Sequence, residues 1–294
     1  MTNVLRDIVG TLGAWFIYFL VWLFGRKVAL NDEPWLAGPV GGSYIGDRPY
    51  EECAEEEGLD MERNATRGGL LPDFSALAGP SFDPAAVHPD VRAFYEHTAE
   101  HRMDVWSRTY FPANVALWLL VSAISRKVNQ LNFPLHAIDA AQGMLSEIVL
   151  LRRPDGSVRY TGWFRRLAES GYVVYTGFYM TESVPEWDSP CVKVVFPMPE
   201  GNATVILRPK ALEDGSLELS SIGRGFGDVG FYRVQRRRRG DFRIWRVQTL
   251  DEYFRVYVDD AKILRCDHYV SFLGFRVLRL HYRMQRLTEE RQEA

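Results

Sequence analysis

The stretch from Tyr172 to Pro209 reads YVVYTGFYMTESVPEWDSPCVKVVFPMPEGNATVILRP and indicates the fold class of the second half of the chain. It holds three runs dense in Val, Ile, Tyr and Phe, at 172–180, 191–198 and 203–209. β-branched and aromatic residues favour strands, and the Gly, Pro, Asn and Asp between the runs favour turns. Short runs at this spacing predict antiparallel strands and not parallel β-α-β units.

The same pattern extends on both sides of this stretch. Turn pairs such as Asp155-Gly156 and Asp214-Gly215 recur between apolar runs, and such pairs supply the positive φ that tight hairpins require. In the last run, LRLHYRM at 278–284, apolar and polar residues alternate, which predicts one buried and one wet face. We therefore predict an antiparallel β-meander of about ten strands over 145–287.

A meander of this size leaves unpaired edges unless the sheet closes or curls. We therefore expect a barrel-like or strongly curled sheet, whose interior could hold one small ligand. The layout is similar to lipocalin-like barrels and to the barrel-shaped cyclases of polyketide pathways. This likeness concerns layout alone and implies no function.

The N-terminal segment is apolar on every side, with no charged residue between Ile8 and Phe24. A membrane span needs roughly 20 apolar residues, and about 17 is the lower limit. A single span, a helix in the membrane interface and a helix packed on the rest of the protein are the three alternatives. A signal peptide is disfavoured, because bulky aromatics fill the run and no small-residue cleavage site follows. Arg26 and Lys27 would favour a cytoplasmic side for the bulk of a membrane-associated chain.

The predicted fold class is α+β, with an apolar, membrane-associated N-terminal helix and a helical region before the β-meander. Helices are predicted at about 50–57, 89–108 and 114–130, and the last of these takes in a second apolar run at 111–124. The chain is predicted to divide into five parts. They are an apolar, membrane-associated helix (1–30), a Gly/Pro-rich acidic linker or covering loop (31–88), a helical segment (89–144), the β domain (145–287) and a charged tail (288–294).

Charge is unevenly distributed along a chain whose formal net charge is −3. Acidic residues dominate 31–63, and arginines dominate 231–287. The two regions either neutralise each other or face solvent separately, or the basic region forms a surface that rests on anionic lipid headgroups. Nucleic acid is disfavoured because no aromatic residues are interleaved in the arginine run. The predicted membrane-contact residues are Trp15, Tyr18, Trp22, Arg26, Lys27, Arg236, Arg237, Arg238 and Arg239.

The sequence HTAEH at 97–101 matches the H-x-x-E-H pattern of inverted zinc hydrolases. On a helix, His97 and His101 would share one face and could bind zinc, and Glu100 could serve as the base. Solvated side chains on the flank of a helix are the competing interpretation, since the sequence marks no third ligand. We expect no cofactor.

Two functions remain open on sequence grounds. The first is a membrane-associated, barrel-like protein that binds a hydrophobic small molecule or lipid in an apolar interior. The second is a cyclase or isomerase that acts on an apolar substrate there, with a few acid–base groups. The minor alternative is a zinc hydrolase, and the oligomeric state is left open. The candidate pocket residues are Tyr160, Trp163, Tyr175, Tyr179 and His268.

Overall fold

The α-helices whose bounds the structure describes lie in the first third of the chain. The computed structural model describes residues 3–111, 128–131, 144–237 and 241–287. Its α-helices are α1 (Asn3–Phe24), α2 (Arg48–Glu57) and α3 (Pro89–Glu96). The predicted helix at 50–57 is confirmed by α2. Residues 114–127 of the predicted helix at 114–130, the apolar run at 111–124 beyond its first residue, and the charged tail at 288–294 lie outside the described residues.

The predicted helix at 89–108 is wrong beyond Glu96. At His97 the backbone leaves helical geometry, with φ −135° and ψ 42°, and a single 3-10 turn follows at Thr98–Glu100. From His101 to Thr109 the chain is a strand whose residues pair with 278–286 near the C-terminus. Pairing with a distant strand therefore overrides the helical spacing of the apolar residues in this segment.

Fourteen strands are described, most of them after residue 144. They are β1 (Arg26–Val28), β2 (Asp60–Glu62), β3 (His101–Thr109), β4 (Met144–Arg152), β5 (Val158–Leu167), β6 (Val173–Glu182), β7 (Cys191–Met198), β8 (Gly201–Ala211), β9 (Leu217–Ser220), β10 (Gly230–Arg236), β11 (Phe242–Arg246), β12 (Leu250–Val258), β13 (Leu264–Phe272) and β14 (Phe275–Arg286).

All ladders between these strands are antiparallel, which confirms the predicted meander. The main path runs β2-β4-β5-β6-β7-β8-β9-β12-β13-β14-β3, and a branch leaves β8 through β10 and β11 to β1. Among the described strands no ladder joins β2 or β4 to β3, so the prediction of a β-barrel is wrong. One edge of the sheet is instead formed by β2, a three-residue strand with an acidic residue at each end. Short, charged edge strands discourage pairing with the edge of another sheet.

The N-terminal apolar segment is helical, and its last turn packs on the sheet. Val21 is buried, Phe24 stacks on Trp245 of β11 at 5.9 Å between ring centroids, and Arg243 donates a hydrogen bond to the carbonyl of Trp22. Within the part of the chain that the structure describes, no helix combines the length and hydropathy needed to cross a bilayer. The single membrane span, one of the three alternatives for this segment, is therefore wrong.

The two faces of the sheet are packed differently. On the outer face of β4–β6, Tyr50 of α2 is fully buried against Phe164 and Phe178. Gly162 makes this fit possible, because a Cβ there would lie 2.4 Å from the Tyr50 ring. On the inner face, residues from segment 65–95, including Leu71, pack with residues of β4, β5, β7 and β8.

Candidate functional site

A cavity of about 530 Å³ lies against the inner face of the sheet. Its walls are apolar for the most part, with Val194, Val205, Leu219, Phe254 and Leu280 among the residues that line it. Pockets for small molecules commonly measure about 300–1,000 Å³ and combine apolar walls with a few polar groups. The cavity is therefore large enough for one small molecule.

The cavity extends between two elements at opposite ends of β8. At the end that begins with Gly201, β10 pairs with β8 and carries β11, on which α1 packs, and Tyr18 lines the cavity there. At the other end, His88 donates a backbone hydrogen bond to Gly215, and Phe94 of α3 lines the cavity. Along β8 itself, the lining runs from Ala203 through Val205 to Leu207.

A buried arginine from β5 faces this cavity. Arg165 is 5% exposed, and its guanidinium carbon lies 4.9 Å from the centroid of the Trp163 ring and 5.7 Å from that of the Tyr282 ring. Both distances suit cation–π contact. Trp163 and Arg165 are two residues apart on one strand, so both side chains point to the inner face. The Trp163 indole donates to Ser146 at 2.8 Å, which fixes this wall.

Three tyrosines line the cavity near the arginine. The hydroxyl of Tyr175 donates a hydrogen bond to that of Tyr179, and the Trp163 ring packs edge-on against both rings. Burial raises the pKa of Tyr179 well above its ordinary value. Burial also raises the pKa of Tyr282 to about 12, although the charge of Arg165 lowers it in part. At neutral pH all three hydroxyls are therefore protonated and can donate hydrogen bonds.

One acid–base pair reaches the cavity from the opposite arm of the sheet. Nε2 of His268 lies 3.2 Å from Oε2 of Glu252, and both residues line the cavity. The His268 imidazole stacks on Phe254, with ring centroids 3.8 Å apart. Asp267, its neighbour, points to the outer face, where it accepts hydrogen bonds from Arg279 and His281. The pair that could exchange protons is therefore Glu252 with His268.

A second cation lines the end of the cavity near α1. The guanidinium of Arg233 donates to the carbonyls of Asn202 at 2.8 Å, Val234 at 2.6 Å and Pro199 at 3.2 Å. Removal from water lowers its pKa to about 10, so it stays charged at neutral pH. Because both terminal nitrogens already have acceptors, Arg233 holds the β7–β8 turn and leaves little donor capacity for a ligand.

Four of the five predicted pocket residues line the cavity. Trp163, Tyr175, Tyr179 and His268 come from three strands that are brought together only by the fold. Tyr160 lies on the outer face instead, where it is buried beside Phe178 and donates to Glu57 at 2.9 Å.

The predicted metal pair does not share a helix face. His97 ends α3, and His101 begins β3 with its Nδ1 3.0 Å from the carbonyl of His97. Within the described ranges no three His, Cys, Asp or Glu side chains form a group that could hold a metal ion. Free cysteines Cys53, Cys191 and Cys266 are each buried.

The predicted membrane-contact residues fall in several environments. Trp15 and Trp22 are strongly exposed on α1, whereas Tyr18 between them lines the cavity. Arg26 and Lys27 are exposed in β1, and the guanidinium of Arg26 lies 4.9 Å from the Phe226 ring centroid. Arg236 and Arg237 are exposed at the β10–β11 turn, and Arg238 and Arg239 lie outside the described residues.

Sequence reasoning missed Arg165, Arg233, Glu252 and Tyr282 as cavity residues. Each lies at an even spacing from an apolar residue that faces inward, such as Trp163 for Arg165, Phe231 for Arg233 and Phe254 for Glu252. Strand alternation was therefore a usable signal. It was not applied because charged residues on strands are ordinarily assigned to the wet face.

Comparisons of this chain with protein-family models, with curated proteins and with solved structures found no match, so the cavity must be interpreted from its own residues.

Proposed function

We propose that this protein binds a hydrophobic small molecule or a lipid chain in the cavity between α1 and α3. The observation that carries the proposal is a cavity of about 530 Å³ whose lining is mostly aliphatic and aromatic. Water gains few hydrogen bonds against such walls, so an apolar occupant that displaces it is favoured.

The arrangement of the strands supports an enclosed binding site. Met103 of β3 and Met144 of β4 both line the cavity, although these strands lie near opposite ends of the pairing path. Arg165 of β5 also approaches Tyr282 of β14. We infer that the sheet curls round the cavity, which would remove most of a bound ligand from water.

A variant that fills the cavity tests the proposal. Val194 of β7 is buried and lines the wall, so Val194→Phe places a ring in the space that a ligand would occupy. Fluorescence titration with the neutral dye Nile red should show saturable binding to the wild type and at least about tenfold weaker binding to the variant. Ile222→Phe, at a 59% exposed position, is the matched control and should bind as the wild type does.

Equal dye affinity for a folded Val194→Phe protein and the wild type would contradict the proposal. If that variant does not fold, Leu219→Phe provides the same test from β9. Native mass spectrometry of the purified wild type gives an independent measurement, and a co-purifying apolar molecule that is lost from the filled variant would support the proposal.

A second candidate, an isomerase or cyclase, is favoured by Glu252 and His268. Their side chains lie 3.2 Å apart at the cavity wall, where a carboxylate can orient an imidazole for proton transfer to an apolar substrate. Tyr179 is a protonated hydroxyl in the same lining and could polarise a substrate oxygen.

A long-chain β,γ-unsaturated ketone tests this second candidate. An acid–base pair should move the double bond into conjugation, which ultraviolet absorbance records. His268→Gln keeps the shape of the wall but cannot transfer protons at neutral pH, so it should lose the reaction and still bind Nile red. A wild-type rate no higher than that of His268→Gln would reject isomerisation of this probe class and leave the binding function standing.

A further inference from the structure

The cavity is lined by the buried guanidinium of Arg165, which pairs with no carboxylate among the described residues. We propose that Arg165 binds the anionic head of the ligand, which is therefore an amphipathic acid with one carboxylate and an apolar chain. This inference rests on the proposed binding function and narrows it to a chemical class.

Arg165 is buried without a carboxylate partner among the described residues. Burying a cation is costly unless the cation is paired and hydrogen-bonded. Arg165 is 5% exposed, its Nε has no hydrogen-bond partner, and its guanidinium carbon lies near the rings of Trp163 and Tyr282. Among the described residues no carboxylate lies within ion-pair distance of it. An anion that enters the cavity would supply the missing charge.

The charges along the cavity wall favour a negative ligand. Arg165 and Arg233 contribute two cations, and Glu252 contributes one carboxylate that already lies against His268. Arg233 donates to three backbone carbonyls, so Arg165 is the cation with unused donors. In a dry, apolar site this imbalance is screened far less than it would be at the surface.

The geometry near Arg165 suits a carboxylate. A guanidinium presents parallel N–H donors that match the two oxygens of a carboxylate. Arg165 pairs with Tyr175 across the β5–β6 ladder, and the Tyr175 hydroxyl bonds to that of Tyr179, so protonated hydroxyls lie beside the proposed head site. The aliphatic wall formed by Val194, Val205 and Leu219 would then contact the chain.

Calorimetric titration with decanoic acid, decanol and decyl phosphate tests the proposal on the full-length protein. The wild type should bind decanoic acid about tenfold more tightly than decanol, since hydrogen bonds to charged groups contribute more than neutral ones. Arg165→Met should remove this preference while keeping the affinity for decanol. Arg165→Lys, which keeps the charge but not the planar fork, should retain part of it.

Arg166→Met is the matched control. Arg166 is the next residue of β5 and is exposed, so the same chemical change there should leave the preference for the acid intact. If Arg165→Met does not fold, methyl decanoate provides the same test on the wild type, since the ester has the chain but not the charge. It should bind about tenfold more weakly than the acid.

The outcomes separate the two proposals. If decanol and decanoic acid bind equally to the wild type, or if Arg165→Met keeps the preference for the acid, the head-group assignment is wrong and the apolar cavity remains. If decyl phosphate binds more tightly than decanoic acid, the carboxylate assignment is wrong. If neither decanol nor Nile red binds, the binding function itself fails.

Discussion

Two buried cations on opposite faces of the sheet differ in whether hydrogen-bond acceptors surround the charged group. Lys193, on the outer face of β7, has no exposed surface and donates to the carbonyls of Trp35 and Ala37 and to Glu182 at 2.6–3.1 Å. Arg165, on the inner face of β5, is nearly as buried but has ring faces as neighbours. The lysine therefore serves the fold, because described groups satisfy its charge, whereas no described carboxylate pairs with the arginine, as the proposed head-group site requires.

The apolar residues on these two faces also differ, in how completely other side chains pack against them. The outer face of β4–β6 is closed by α2, which packs Tyr50 against Phe178 with no exposed surface on either residue. The inner face of the same strands borders the cavity, and its aromatic side chains pack edge-on against one another. Two equally apolar faces of one sheet therefore have different roles, and substitutions should distinguish them.

The largest effect is expected from Phe178→Ala on the outer face. Truncating a fully buried aromatic side chain costs about 3–5 kcal/mol in the free energy of unfolding. Phe196→Ala, the inner-face counterpart, should cost about half as much or less, because part of that ring already borders open space. Denaturant unfolding followed by tryptophan fluorescence measures both. Equal losses would show that the inner wall is packed as tightly as the outer face.

A smaller difference is expected between the two cations. Lys193→Met should lower the free energy of unfolding by about 2 kcal/mol, because Glu182 and two carbonyls lose a buried partner. Arg165→Met should change it by no more than about 0.5 kcal/mol, since no carboxylate is left unpaired. The same unfolding experiment compares the two variants. A loss at Arg165 as large as that at Lys193 would mean that the arginine is structural.

The smallest expected effect belongs to Tyr160→Phe. The Tyr160 hydroxyl donates to Glu57 at 2.9 Å on the outer face, so its removal should cost about 1 kcal/mol of stability. The affinity for Nile red should not change, because Tyr160 is separated from the cavity by the sheet. A weakened dye affinity without a change in stability would place Tyr160 in the binding site after all.

Strand alternation predicted much of this arrangement. Val- and Tyr-rich runs between Asp-Gly turns usually form antiparallel hairpins, so the meander over 145–287 could be predicted from the sequence. Tyr160 was assigned to the pocket although it lies three residues from Trp163, and side chains at an odd spacing on one strand face opposite sides. The outer face is also apolar, because α2 packs on it. Periodicity within the strands cannot show that a distant segment such as α2 buries that face.

The remaining errors arose from long-range pairing. His101–Thr109 carries apolar residues at spacings that fit a helix, but β14 offers it a partner strand from the far end of the chain. Closure of the sheet depends likewise on whether β3 meets β4, and no local pattern encodes that contact. Arg165 was missed because charged residues on strands are ordinarily assigned to the wet face, and burying an unpaired charge is unfavourable.

The pairing of β1 with β11 affects the order of events during synthesis. Arg26 aligns with Ile244, so β1 leaves the ribosome well before its partner strand β11 has been made. At about 5–20 residues per second, some 10–45 s pass between the emergence of the two. During that interval the apolar helix α1 has been made, but β11, the strand on which it packs, has not. The apolar end of α1, including Phe24, therefore stays without its Trp245 contact until β11 emerges.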